Sequence, residues 1–105
     1  MSTLEVQLNS ELIEDFCRRW KIEEFALFGS VLRNDFRYDS DVDVMVSFRN
    51  DATWSLLDHV VMQDELVAIF GRNVDLVTRK GVERSRNAIR RKSILSNAKV
   101  IYAAA

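Results

Sequence analysis

Phe25-Ala26-Leu27-Phe28-Gly29-Ser30-Val31-Leu32-Arg33 and, after seven intervening residues, Asp41-Val42-Asp43-Val44-Met45-Val46 carry the strongest structural signal in the chain. Four consecutive apolar residues predict a short buried strand, and Gly29-Ser30 the turn that ends it. A short helix is expected from Ser30 to about Asp35. The chain then returns as a second strand. Val42, Val44, Val46 and Phe48 fall on one face of it, and Asp41, Asp43, Met45 and Ser47 on the other, because successive side chains of an extended chain alternate.

Outward from this pair, Ser10 reads as the cap of a helix over Glu11 to Trp20, with Leu12, Ile13, Phe16 and Trp20 as its apolar stripe. On the other side, Trp54 to Phe70 is long enough for a helix. Its apolar residues form two stripes on opposite sides, Met62/Leu66/Ile69 and Leu57/Val60/Val61/Ala68. Two readings follow: a helix pinched between a sheet and the C-terminal segment, or a helix whose outer stripe meets a partner. Gly71 is expected to end it as a C-cap. Asn73 to Thr78 reads as another strand, containing Asp75, residues 83–96 as a basic helix, and Val100-Ile101-Tyr102 as a last edge strand. This order predicts an α/β (α+β) domain with a small mixed β-sheet and helices. The trailing alanines carry no reading.

At 105 residues the chain is expected to be a single domain, residues 1–105. It is 48% hydrophobic and 30% charged, an ordinary core-forming balance that excludes disorder as its main state. Fifteen basic and sixteen acidic residues nearly cancel, so overall charge favours no polyanionic partner. The charges are nonetheless segregated. Residues 1–78 hold seven basic and fifteen acidic side chains, whereas residues 79–105 hold eight basic and one acidic. Cys17 has no disulfide partner and His59 is the lone histidine, which excludes a Cys/His zinc site and fits a reducing compartment. Without a leader pattern or a long apolar run, no membrane association is expected and the chain reads as cytoplasmic.

The chemistry lies in the opening stretch. A strand that stops at Gly29-Ser30 and starts a helix offers a turn without a Cβ, a hydroxyl, and amide groups at the positive end of a helix dipole. Such a turn can cradle phosphate, although Gly-Ser alone reads first as a capped strand-to-helix turn with no ligand. Asp41 and Asp43, at i and i+2 of a strand, place two carboxylates on one face. Their repulsion calls for a proton or a cation, and hard oxygen donors select Mg²⁺ or Mn²⁺. Asp75, at the same phase of another strand, supplies a third. Three carboxylates holding two cations suffice for two-metal phosphoryl transfer.

These residues resemble the Gly-Ser-x10-Asp-x-Asp signature of the DNA polymerase beta nucleotidyltransferase superfamily, and most of all its minimal nucleotidyltransferases. The resemblance runs from about residue 11 to residue 102 and includes Val74-Asp75-Leu76-Val77. It implies a polymerase-beta-like fold, with Gly29 and Ser30 holding nucleotide phosphates. It implies that Asp41 and Asp43 bind two divalent ions, Mg²⁺ or Mn²⁺, and that Asp75 completes the site and can act as base. Many relatives carry Arg-Gly-Asp where this chain has Arg33-Asn34-Asp35. ATP is the implied substrate. The implied context is the antitoxin half of a toxin–antitoxin pair, transferring AMP to a tyrosine of a HEPN-domain ribonuclease toxin.

Around this core, Arg33 lies one helical turn after Ser30 and reads either as a phosphate contact or as a solvated arginine. Ser40 joins the nucleotide-binding candidates or only shapes the loop, and Asp39 reads as exposed. His59 reads as structural and Cys17 as a small core residue. The basic run Arg84, Arg86, Arg90, Arg91, Lys92 is open to three readings: a solvated face, a nucleic-acid contact, or a surface for a nucleotide or an acidic partner. Three consecutive cations cannot share one helix face, and no aromatics interleave, which argues against direct nucleic-acid binding. Two other functions stay open beside protein adenylylation: an antitoxin that neutralises by binding alone, and a small-molecule nucleotidyltransferase. A homodimer or hetero-oligomer is compatible with either.

Overall fold

The computed structural model describes residues 10–29 and 41–104. The expected short helix from Ser30 to Asp35 therefore lies outside the described residues, as do Arg33, Asp39 and Ser40. In chain order the elements are α1 (Ser10–Arg19), β1 (Ile22–Phe28), β2 (Val42–Phe48), α2 (Leu56–Phe70), β3 (Val74–Thr78), α3 (Arg79–Glu83), α4 (Ala88–Asn97) and β4 (Lys99–Ala103). The described strands form one mixed sheet in the order β3-β2-β1-β4. β1 pairs antiparallel with both β2 and β4, and β2 pairs parallel with β3. The crossover needed to bring a parallel strand alongside is supplied by α2.

Helices cover both faces of the sheet, which explains why Phe25, Ala26, Leu27 and Phe28 are all buried in central strand β1. Phe25 and Leu27 pack with Val42, Val44 and Val46 against Phe16 of α1 and Met62 and Leu66 of α2. Ala26, Phe28 and Met45 face the other way, onto Val82 of α3 and Ile94 of α4. β1 is longer than its apolar core suggests, because Ile22 pairs with Phe48 and the polar Glu24 pairs with Ser47. An ion pair from Arg79 to Glu24, 3.3 Å long, ties α3 to this end of β1.

Sequence and structure differ at several helices. Ser10 lies inside α1 rather than capping it, and Leu12 is half exposed while Cys17 takes its place in the core. Helix α2 begins at Leu56, with Ser55 as its N-cap in a reciprocal capping box with Asp58. Such a cap is worth about 0.5–2 kcal/mol. Its C-terminus is as expected: Gly71, at φ +70°, donates its N–H to Val67 O. The expected basic helix over residues 83–96 begins only at Ala88, as α4, and a separate short helix that was not expected, α3, ends at Glu83 before it. Thr78 caps α3 by accepting from the Gly81 N–H, and Asn87 caps α4 by accepting from the Arg90 N–H. A second cap interrupts what periodicity alone would join.

The pinched arrangement of α2 does not occur. Met62 and Leu66 are buried against the sheet, but the C-terminal segment packs on the opposite face. The outer stripe is left in solvent: Leu57 is 73% exposed, Val60 49% and Val61 43%. On its flank, His59 Nε2 donates to Leu76 O at 3.0 Å, and Gln63 Oε1 accepts from the Leu76 N–H at 3.4 Å. Both side chains thereby occupy the outer backbone edge of β3, where an unpaired strand would otherwise invite another chain. His59 is structural, as expected. At the other end of the molecule, the Arg19 guanidinium grips Glu65 with bonds of 2.9 and 3.1 Å, and the Trp20 indole donates to the same carboxylate at 3.2 Å. The hydrogen bond from Arg19 holds Glu65 below the usual glutamate range. Trp20 in turn stacks edge-on with Trp54, whose indole donates to Trp20 O at 2.9 Å.

Two outcomes test this packing. Leu66→Ala should cost about 2–5 kcal/mol, as core truncations do, whereas Leu57→Ala should stay within about 0.5 kcal/mol, both read by chemical denaturation. Burial, reinforced by nearby Glu14, pushes the Cys17 thiol up to about 12. Iodoacetamide at neutral pH should therefore leave Cys17 unmodified in the native protein and alkylate it only after denaturation, by mass spectrometry.

Candidate active site

The site is built where β1 ends and where β2 and β3 begin. Register places Phe28 opposite Asp43 across β1 and β2, and Asp43 opposite Asp75 across β2 and β3. One row across the sheet thus reads Phe28, Asp43, Asp75, and the next reads Ala26, Met45, Val77. Because Ala26, Phe28 and Met45 belong to the core beneath α3 and α4, Asp43 and Asp75 stand on that same face. The alternation read in residues 41–48 is therefore correct, and Asp75 has the expected phase.

Asp43 is half buried and Asp75 exposed. Asp41 is exposed and lies immediately before β2 rather than within it. The Val42 N–H donates to Asn73 O at 2.9 Å, which holds the Asp41 end of β2 beside the start of β3. Asp43 and Asp75 are thus placed at one end of one sheet face, with Asp41 at the chain position just before β2. Among the described residues, however, no three His, Cys, Asp or Glu side chains form a ready metal-holding group. Asp43 and Asp75 are the register-fixed pair, and Asp41 is their neighbour. As a donor set, these carboxylates offer only hard oxygens, the chemistry that suits Mg²⁺ or Mn²⁺ and disfavours softer metals.

Gly29 immediately follows Phe28 and adopts φ +73°, a left-handed conformation that favours glycine. Space enforces the same choice: a Cβ at Gly29 would collide with the Asp43 carboxylate and lie 3.1 Å from its Cγ. The turn and the acid therefore touch. This close approach is the structural content of the Gly-Ser signal, and it brings the backbone that would cradle phosphate against the carboxylate that would hold a cation. Ser30, Arg33 and Ser40, the other nucleotide-binding candidates, lie outside the described residues.

Sequence reasoning did not foresee what lies across from this pair. An open cleft of about 910 Å³ is bounded on the sheet side by Phe28, Gly29 and Asp43, and on the far side by α4, including Arg90, Ser93 and Asn97. Its size falls in the range of small-ligand sites. The signal available was the spacing Arg90, Ser93, Asn97, a single stripe at helical period. That stripe was hidden within a run whose consecutive cations pointed in several directions. Arg91 is turned away, donating to Ser85 O.

Comparison with known proteins agrees with this geometry. A nucleotidyltransferase domain family model matches residues 10–101. Over 65 residues the chain is 35% identical to the protein adenylyltransferase MntA of Thermococcus cleftensis, a match covering 62% of this chain and 64% of that protein. The chain thus spans less than two thirds of that relative's length. Among solved structures, a toxin–antitoxin structure with AMP-PNP is similar at TM-score 0.70 and 22% identity, covering 92% of this chain and 75% of that one. A complex of a tri-AMPylated Shewanella oneidensis HEPN toxin with an MNT antitoxin is similar at TM-score 0.60 and 21% identity, covering 90% and 69%. At these identities the two structures establish a shared fold. With the family model spanning nearly all the described residues, the chain belongs to the nucleotidyltransferase domain family.

Proposed function

We propose that this chain is a single-domain, metal-dependent adenylyltransferase that moves AMP from ATP to a hydroxyl, the acceptor being a tyrosine of a HEPN-domain toxin that it thereby silences. The observation that carries this reading is the register of Asp43 against Asp75 with Gly29 in contact with Asp43. A phosphate-accommodating turn and paired carboxylates share one end of the sheet. The name of the Thermococcus relative and the AMPylated toxin complex support the choice of AMP and of a protein acceptor. The AMP-PNP complex supports ATP as donor.

In this reading Asp41, Asp43 and Asp75 would hold the divalent ions, which supply charge neutralisation of the triphosphate and polarisation of its α-phosphoryl group. The Gly29 turn receives the phosphates, and Ser30, Arg33 and Ser40 are the further nucleotide-binding candidates of this reading. The acceptor oxygen bonds to the α-phosphorus as the bond from that phosphorus to the pyrophosphate oxygen breaks. The hydroxyl proton passes to a carboxylate, and Asp75, the most exposed of the register pair, takes that role. The pyrophosphate leaves with the electron pair of the broken bond. A cytoplasmic setting suits both the unpaired Cys17 thiol and this partner. No helix among the described residues is long and apolar enough to cross a membrane.

The direct test mixes the purified chain, Mg²⁺, each nucleoside triphosphate in turn and the product of the neighbouring gene, then weighs both proteins by intact-mass spectrometry. ATP should add the mass of AMP to the partner. Asp43→Asn should lower transfer by about two orders of magnitude or more, as loss of a charge-stabilising group in a transferase does. Chelation with EDTA should abolish transfer, and Mg²⁺ or Mn²⁺ should restore it. Neutralisation of the partner that survives Asp43→Asn without transfer would instead assign a binding-only antitoxin, and transfer to small hydroxyl compounds alone a small-molecule enzyme. Gly29→Ala should cost about 1–2 kcal/mol for its left-handed backbone, read by denaturation, and should lose transfer well beyond what that destabilisation explains, because the added Cβ displaces Asp43.

A further inference from the structure

The basic C-terminal segment is divided by its folding. Arg79 is engaged by Glu24 and Glu83, Arg91 donates to the backbone of Ser85 at 2.6 Å, and Lys92 is exposed. Arg90 differs from all of these. It lines the cleft opposite Gly29 and Asp43, and among the described residues it makes no ion pair. Its placement is anchored at both ends of α4. Ile94, one turn further on, is buried against Ala26, Phe28 and Met45. The Asn87 cap starts the helix at 3.0 Å from the Arg90 N–H. After the helix, Lys99 pairs with Leu27, two residues before Gly29. The element that carries Arg90 is therefore pinned to the strand whose end forms the turn.

Charge explains why a cation belongs there. The Asp43 carboxylate on the sheet side of the cleft repels a polyphosphate. An arginine with no carboxylate partner among the described residues offers its planar fork of donors to the cleft, and that fork matches the paired oxygens of a phosphate. Ser93 and Asn97 continue the same wall with uncharged hydrogen-bonding groups.

Resting on the adenylyltransferase reading, we propose that α4 is the nucleotide-facing wall of the active cleft and that Arg90 binds the anionic phosphate chain of the incoming nucleoside triphosphate. Arg90 is a binding residue in this assignment. It answers the Asp43 carboxylate across the cleft, so that a triphosphate is held between a cation on the helix and the turn at Gly29.

Calorimetric titration of the purified chain with ATP, AMP and adenosine, in Mg²⁺, tests the assignment. Arg90→Ala should weaken ATP binding by about tenfold or more, the worth of a charge-assisted bond, weaken AMP less, and leave adenosine unchanged. Arg90→Lys should recover part of the ATP affinity, since charge is kept while the fork is lost. Lys92→Ala, on the same helix, should match the wild type for all three. ATP binding by Arg90→Ala equal to the wild type would overturn the role of Arg90 while leaving the adenylyltransferase reading standing. Equal weakening of ATP and adenosine would overturn it too, by showing only a structural effect. A wild-type chain that binds none of the three ligands would remove both readings together.

Discussion

The parallel pairing of β3 with β2, in the register that sets Asp75 against Asp43, is the constraint on which the rest of the molecule depends. Two carboxylates side by side repel, and no folding force favours that arrangement for itself. It is imposed by the apolar positions between and beneath them. Val42, Val44, Val46, Val74 and Leu76 are all buried on the face that α1 and α2 cover. Because strand side chains alternate, burying those residues obliges Asp43 and Asp75 to stand on the opposite face, and a slip of one residue would bury an acid. Hydrophobic burial thus holds an electrostatically unfavourable pair in place.

The second face is covered differently, and the difference makes room for chemistry. Val82 of α3 and Ile94 of α4 pack over Ala26, Phe28 and Met45, with Val77 of β3 at the margin of the cluster. Toward the start of β2 this cover stops, and the cleft opens between Asp43 and the polar side of α4. One helix therefore does two jobs. Its apolar residue closes the core, and its charged and polar stripe forms the wall of the site. Gly29 completes the arrangement because its missing Cβ lets the chain turn against Asp43 without displacing it.

The outer side of α2 is the counterpart on the first face. Its inner residues Met62 and Leu66 join the core, His59 and Gln63 satisfy the backbone edge of β3, and Leu56, Leu57, Val60 and Val61 remain in solvent. The two apolar stripes seen in the sequence are real, but among the described residues only one of them is buried. Periodicity could show that both sides of the helix are apolar. It could not show that the C-terminal segment would cross to the other face of the sheet and leave the second stripe uncovered.

What the sequence determined by itself was the class of fold, the row of acids and the turn beside them. These depend on local rules, namely alternation along Val42–Phe48, the glycine after Phe28, and the phase of Asp75 among Val74, Leu76 and Val77. Such rules act over a few residues and leave their trace in order and spacing. Long-range packing instead set Asp43 against Asp75 in register, moved the start of the expected helix over 83–96 to Ala88 behind a separate α3, and put Arg90 on the cleft that Asp43 lines while Arg91 turned to the Ser85 carbonyl. Each of these depends on contacts between segments far apart in the chain. Their partners are chosen by which apolar surfaces fit together, and spacing along one segment carries no record of that choice.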